Sequence, residues 1–146
     1  DFFTSWQKLM EEISTDYTLF FSQLETLEEG TNIIEHFRKS FYQNLDKEQE
    51  TLIIEFVENY KQRLSNNQIS REESRKLMQK ANPKFVLRNY LLYDCIAEME
   101  EGKTELFDKL WKALQNPYEE IYPEFSVKRP EKYEGVVGCS SLSCSS

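Results

Sequence analysis

Residues 46–64 read DKEQETLIIEFVENYKQRL, and this stretch carries the clearest structural pattern in the chain. Its apolar residues recur at steps of three and four, which places them on one face of a helix: Ile53, Phe56, Val57, Tyr60 and Leu64. Charged residues occupy the opposite face, as on a helix that packs one side against a core. Asp46 and Gln49 are spaced like a capping box, so the helix is predicted to begin just after Asp46.

Similar apolar stripes recur through the first 116 residues. The other predicted helices carry, in chain order, Phe2 to Ile13, Phe20 to Leu27, Ile33 to Leu45, Leu77 and Met78, Val86 to Met99, and Phe107 to Leu114. Ser70 with Glu73 predicts a second capping box, and Asn82-Pro83 predicts a helix that starts with Asn as its cap. No segment alternates between apolar and polar residues, so we expect little or no sheet. The sequence therefore predicts an all-α fold, a bundle of about six to seven amphipathic helices.

The helical pattern ends at residue 116. Three prolines break any helix beyond it, because each lacks the N–H group that a helix interior needs: Pro117, Pro123 and Pro130. We interpret residues 117–146 as an extended arm whose aromatic residues dock on the helices or on a missing neighbour. Its end, from Val136 onward, is a Ser/Cys-biased tail that is expected to be mobile. Two parts are thus predicted, a helical domain of residues 1–116 and the arm with its tail, residues 117–146.

Charge and composition limit the classes of partner. The net charge is -8 over 146 residues, which counts against nucleic acid, since phosphate contacts need a surplus of Lys and Arg. An anionic membrane surface is disfavoured for the same reason, and no apolar run approaches the roughly 20 residues of a membrane-spanning helix. We therefore expect no nucleic acid and no membrane as partners. The chain opens at Asp1 directly into an apolar stripe, as we expect of a piece cut from a longer polypeptide.

The sequence offers few candidates for a catalytic or binding role. His36 is the only histidine, and on an amphipathic helix a lone histidine is more often a surface or boundary residue than a ligand. The four glycines are isolated, whereas a phosphate-binding loop needs them clustered. Acidic residues are abundant but fall on predicted exposed helix faces. The sequence therefore predicts no catalytic, cofactor-binding or metal-binding residue in this chain.

The three cysteines differ in their surroundings. Cys95 lies on an apolar helical stripe and is predicted to be a buried, small hydrophobic residue. Cys139 and Cys144 lie in the tail, five residues apart, which is a weak zinc signal because structural zinc takes four ligands. A mobile, exposed thiol suits thiol–disulfide exchange better. The alternative, an incidental free cysteine, stays open for both.

Arg88 and Asn89 interrupt a strongly apolar stretch, Phe85 to Leu92. Polar groups at such a position either point to water or are paired. One interpretation is a structural hydrogen bond to a neighbouring loop, and the other is a docking contact to a part of the protein that lies outside this chain.

Four short motifs resemble those of one known family. Residues 82–90, NPKFVLRNY, resemble its NPkyvLRN block, and residues 16–21, DYTLFF, resemble its DYT segment. Asn116-Pro117-Tyr118 after an amphipathic helix is similar to its PY turn, and the final residues 143–146, SCSS, resemble its closing motif. From Asp16 to Ser146 the chain thus resembles the C-terminal region of the selenoprotein O family, also called the UPF0061 proteins.

This resemblance implies that the chain is part of an enzyme. The parent is expected to be a protein adenylyltransferase with a pseudokinase fold, which transfers AMP from ATP to Ser, Thr or Tyr hydroxyls of protein substrates. ATP and Mg²⁺ belong to the kinase-like part, which precedes this region, so the fragment itself is expected to hold no cofactor and to have no activity alone. The implied partners are that kinase-like N-terminal part and the parent's protein substrates. The implied compartment is cytoplasmic if the source is bacterial and mitochondrial if it is eukaryotic.

The resemblance also assigns one residue a role. Cys144 matches the family's tail cysteine, which is selenocysteine in some animal members and is implicated in redox control through pairing with a cysteine of the kinase-like part. Cys144 is therefore the redox candidate, and Cys139 is a candidate resolving partner. The implied function is a helical accessory domain that braces the kinase-like core and carries a redox-regulatory tail. The alternative is an independent acidic helical module for protein–protein interaction, without an enzymatic parent.

Overall fold

The computed structural model describes residues 2–139. Over this range it contains α-helices, three short 3₁₀ turns and no strand, and an isolated antiparallel bridge pairs Thr15 with Phe41. The α-helices are α1 Phe2–Glu12, α2 Tyr17–Glu25, α3 Ile33–Phe37, α4 Lys47–Ser65, α5 Arg71–Ala81, α6 Asn89–Glu100 and α7 Glu105–Gln115. The 3₁₀ turns are Arg38–Ser40, Pro123–Phe125 and Glu131–Tyr133. The predicted all-α fold class is confirmed.

Both predicted capping boxes are present. The Asp46 side chain accepts hydrogen bonds from the amides of Glu48 and Gln49, both at 2.9 Å, and the Gln49 side chain accepts one from the Asp46 amide. Ser70 and Glu73 make the same reciprocal pair at the start of α5. These bonds satisfy amides that lack a partner in the first turn of a helix, which is why α4 and α5 begin where the sequence predicts.

The predicted helix from Ile33 to Leu45 is wrong in its second half. Helix α3 ends at Phe37, a 3₁₀ turn follows, and Phe41 has extended backbone angles. The chain here pairs with the turn after α1: the Asp16 amide donates to the Ser40 carbonyl at 2.7 Å, and the Tyr42 amide donates to the Ser14 carbonyl at 2.9 Å. A backbone partner distant in sequence therefore overrides the local apolar spacing.

The predicted helix start at Asn82-Pro83 is also wrong, because α6 begins seven residues after Asn82, at Asn89. Asn82 instead ends α5, with its amide donating to the Met78 carbonyl at 2.8 Å. A residue before proline is disfavoured in the helical region, and Asn82 has extended angles. The amides of Lys84 and Phe85 both donate to the Pro117 carbonyl, at 2.7 and 2.9 Å, which holds this segment outside any helix.

The described residues divide into two compact units, one up to Asn82 and one from Pro83 onward. The predicted boundary at residue 116 falls inside the second unit. The first unit packs α1 to α5 around an aromatic core in which the Phe20 and Phe37 rings stack at 4.6 Å between centroids. On α4, Ile53 and Val57 are fully buried in this core. Each such side chain contributes about 1.5–3 kcal/mol through removal from water.

The second unit has its own core, shared by α6, α7 and the arm. Its buried members are Phe85, Tyr90, Leu91, Cys95, Leu110, Ala113, Phe125, Tyr133 and Cys139. Three of these residues come from the arm, each on or beside a tight turn. The arm is therefore folded onto the helices, as one of the two sequence interpretations expected.

Candidate functional site

His36 has a structural position. Its Nε2–H donates to the Gln23 carbonyl at 2.7 Å, and the Gln23 side-chain amide donates to the His36 carbonyl at 2.5 Å. The imidazole also lies edge-on to Phe37 at 5.0 Å. These two hydrogen bonds join α2 to α3, so the imidazole has a structural role in the first unit. Within residues 2–139, no group of three or more His, Cys, Asp or Glu residues is arranged to hold a metal ion, and no helix there is long and apolar enough to cross a membrane.

Two open grooves of about 550 and 510 Å³ lie on the first unit. Acidic and basic side chains line both: Lys8, Glu12, Glu55 and Arg63 in one, and Glu28, Glu29, Lys61, Arg71 and Arg75 in the other. Both grooves therefore present charges of both signs.

Cys95 is buried, as its apolar stripe predicted. Burial raises the pKa of its thiol, and the nearby carboxylate of Glu98 raises it further. The thiolate is the reactive form of cysteine, so both effects hold Cys95 in its inert form. Its Sγ lies 4.0 Å from the sulfur of Met99 one turn along α6.

Cys139 differs from its prediction. The tail was expected to be mobile from Val136 onward, but Cys139 is only 7% exposed and belongs to the second core. Its amide donates to the Val136 carbonyl at 3.0 Å, which closes a tight turn. Cys144 lies outside the described residues, and so does the predicted pairing between the two. The redox role of both therefore stays a prediction, with Cys139 shielded from reagents while the arm is docked.

Arg88 and Asn89 stand at the start of α6 rather than inside a helix. The Arg88 carbonyl accepts hydrogen bonds from the amides of Leu91 and Leu92, at 3.0 and 3.2 Å, so it caps the first turn. The Arg88 side chain is half-buried and Asn89 is exposed. Docking of Arg88 and Asn89 on another part of the protein stays a prediction.

Tyr133 anchors the arm, a role that the sequence analysis missed. Its ring stacks on Tyr90 of α6 at 5.1 Å, and its hydroxyl donates to the Asp94 carboxylate. Burial raises the pKa of Tyr133, and the hydrogen bond to Asp94 raises it further, so the hydroxyl keeps the proton that it donates. A carboxylate four residues after Tyr90 on an apolar helix was the available signal, since an acidic group at a core boundary needs a donor.

Comparison with known proteins places the chain in a family. The sequence profile described as "Protein adenylyltransferase SelO" matches residues 1–115. A "Protein nucleotidyltransferase YdiU" of Cytophaga hutchinsonii is 35% identical over 146 residues, covering 97% of this chain and 28% of the relative. The proteins of the same name from Xanthomonas oryzae pv. oryzae and Flavobacterium johnsoniae are 33% and 31% identical, covering 94% and 100% of this chain.

These relatives are much longer than the chain, which covers 27% of the Xanthomonas protein and 29% of the Flavobacterium protein. The chain thus spans less than a third of the length of these curated relatives. The profile match includes all seven helices and ends with α7, before the arm. The chain belongs to the SelO family of protein adenylyltransferases.

Proposed function

We propose that the chain is the C-terminal helical accessory domain of a SelO-like protein adenylyltransferase, and that it braces a kinase-like part of the same polypeptide. That parent transfers AMP from ATP to Ser, Thr or Tyr hydroxyls of protein substrates, with ATP and Mg²⁺ held by the kinase-like part. The observation that carries the proposal is the family match over residues 1–115, in a chain that spans under a third of its relatives.

The local chemistry supports a scaffold role. His36 is used to join two helices, Cys95 is held as an inert thiol, and Asp94 accepts a hydrogen bond from the arm. Each of these polar groups is committed to packing rather than aimed into a cavity. Two separate aromatic cores give the rigid surfaces that a bracing domain needs. Arg88 and Asn89, at the start of α6, remain proposed docking residues within this role.

The alternative is an independent acidic module that binds partner proteins. The net charge of -8 and the exposed acidic faces favour it, since such a surface steers association with basic partners. The two functions predict different results when the region is removed from its parent.

Deleting residues 1–146 from the full-length protein is expected to lower AMP transfer to protein by at least about tenfold, equivalent to about 1.4 kcal/mol in the activation free energy. The reason is that the kinase-like part loses the surface that holds its shape. Transfer is measured with ATP labelled at the α-phosphate, and the melting temperature of the truncated protein is recorded beside it. Unchanged transfer and melting would favour the independent module. As a control, calorimetry of residues 1–146 with ATP and Mg²⁺ is expected to show no binding.

We also propose a redox role for Cys144. Its thiol is expected to pair with a cysteine of the kinase-like part, the two thiols giving up two protons and two electrons to an oxidant. Cys144 follows the buried Cys139 by five positions, so Cys144 reaches at most about 18 Å from that anchor. Cys144→Ser in the full-length protein is expected to remove most of the change in AMP transfer that follows oxidation. Cys95→Ser is the control, and an oxidant response that is equal in Cys144→Ser and the natural protein would end the redox proposal.

A further inference from the structure

Helix α7 carries two apolar lines, only one of which is covered by the described residues of its own unit. Leu106, Leu110 and Ala113 face the core of the second unit. One residue further round, by about 100°, lies a second line of three exposed residues. We call it the outer line of α7: Phe107, Trp111 and Leu114. Trp111 is 58% exposed, and its ring is nearly parallel to that of Phe107, at 6.3 Å.

The rest of α7 shows what an ordinary solvent face looks like here. Glu105, Asp108, Lys112 and Gln115 are polar and exposed. The helix thus separates a covered apolar line, an uncovered apolar line and a polar face. A surface helix usually needs only one apolar stripe directed at its core. The described residues of the second unit therefore do not pack against the outer line.

Helix α6 repeats this arrangement. Tyr90, Leu91 and Cys95 are buried in the core. Leu92 and Ile96 follow the buried Leu91 and Cys95 by one residue each, and Met99 lies about one turn after Ile96. All three are exposed, Ile96 at 52%. We call these three the outer line of α6. Two neighbouring elements of one unit thus both expose apolar surface.

We propose that the outer lines of α6 and α7 dock on the part of the parent polypeptide outside these 146 residues, through an apolar surface that takes Trp111 and Ile96 as anchors. This inference rests on the proposed accessory role and names the face that performs it. The length of chain outside the structure supports this occupant, since the relatives carry over two thirds of their residues beyond the matched region. Exposed clusters of large apolar side chains mark interaction sites in general, and Trp is the residue type most enriched among interface anchors.

Charge argues against a second copy of the chain as the occupant. Each copy carries a net charge of -8, so two copies repel each other as they approach. The kinase-like part of the same polypeptide also needs no association in solution, so it meets this face at a high effective concentration.

The test places a photo-crosslinking residue on each outer line in the full-length protein. Trp111→benzoylphenylalanine and Ile96→benzoylphenylalanine are each irradiated, and the crosslinked peptides are identified by mass spectrometry. Lys112→benzoylphenylalanine is the matched control, because Lys112 lies next to Trp111 but on the polar face of α7. Melting curves confirm that the three variants fold. We expect several-fold more crosslinking from residues 96 and 111 than from residue 112, within one polypeptide and to peptides outside the 146 residues.

Every other outcome overturns the proposal. Crosslinks that join two polypeptides would assign the face to a second copy. Crosslinks no more frequent than those of the Lys112 variant would make the face a solvent surface. The result is also separable from the proposed function: if crosslinking fails while the deletion of residues 1–146 still lowers AMP transfer, the accessory role holds through another face. If crosslinking succeeds and the deletion leaves transfer unchanged, the face docks without supporting catalysis.

Discussion

Ile53→Ala is expected to lower the free energy of unfolding of the 146-residue chain by about 2–5 kcal/mol. Ile53 lies on α4 and is 0% exposed, within the core of the first unit. The substitution removes buried methylene and methyl groups and leaves a cavity that the surrounding aromatic rings fill only in part. Domains of this size are stable by about 5–15 kcal/mol, so the loss is a large fraction of the total.

The next residue provides the control for this prediction. Ile54 follows on the same helix and is 40% exposed, so Ile54→Ala makes the same chemical change with the same helix propensity. We expect a change within about 1 kcal/mol for Ile54→Ala, because truncating a partly exposed side chain leaves no enclosed cavity. Both variants are measured by urea denaturation with far-ultraviolet circular dichroism. Equal destabilisation by the two substitutions would mean that α4 is packed in a different register.

This pair of isoleucines also shows what local sequence can predict. The spacing of Ile53, Phe56 and Val57 predicted the buried face of α4, and all three are buried. The capping pairs at Asp46 and Ser70 predicted two helix starts. In these places the deciding contacts lie within four residues of each other along the chain, so the local pattern contains the answer.

Where the deciding contact is distant, the sequence pattern fails. The helix predicted through Phe41 is replaced by backbone pairing with residues 14–16, and the helix predicted at Asn82 is replaced by bonds to the Pro117 carbonyl. Cys139 was placed in a mobile tail for the same reason, because its burial depends on surfaces that α6 and α7 supply. No local rule identifies partners 24 or more residues away. Among the candidate site residues, this limit affected the prediction for the redox pair, Cys139 and Cys144, most.

The arm gives the second large effect. Tyr133→Ala is expected to destabilise the second unit by about 3–5 kcal/mol, the range for truncating a large buried aromatic ring. The variant loses the stacking on Tyr90 and the hydrogen bond to Asp94. Tyr133→Phe keeps the ring and loses only the hydroxyl, so it is expected to cost about 1.5–3 kcal/mol, the usual range for a hydrogen bond to a charged group.

Cys139 reports the release of the arm directly. It is buried in the core that Tyr133 helps to close, so an alkylating reagent reaches it only when the arm opens. At about 1.4 kcal/mol per tenfold change in an equilibrium constant, Tyr133→Ala is expected to speed the labelling of Cys139 about 100-fold or more, as measured by mass spectrometry under native conditions. Tyr118→Ala is the control, since Tyr118 is an exposed tyrosine of the same unit and its loss is expected to leave the rate unchanged. A labelling rate in Tyr133→Ala equal to that of the natural chain would show that the arm is held by other contacts.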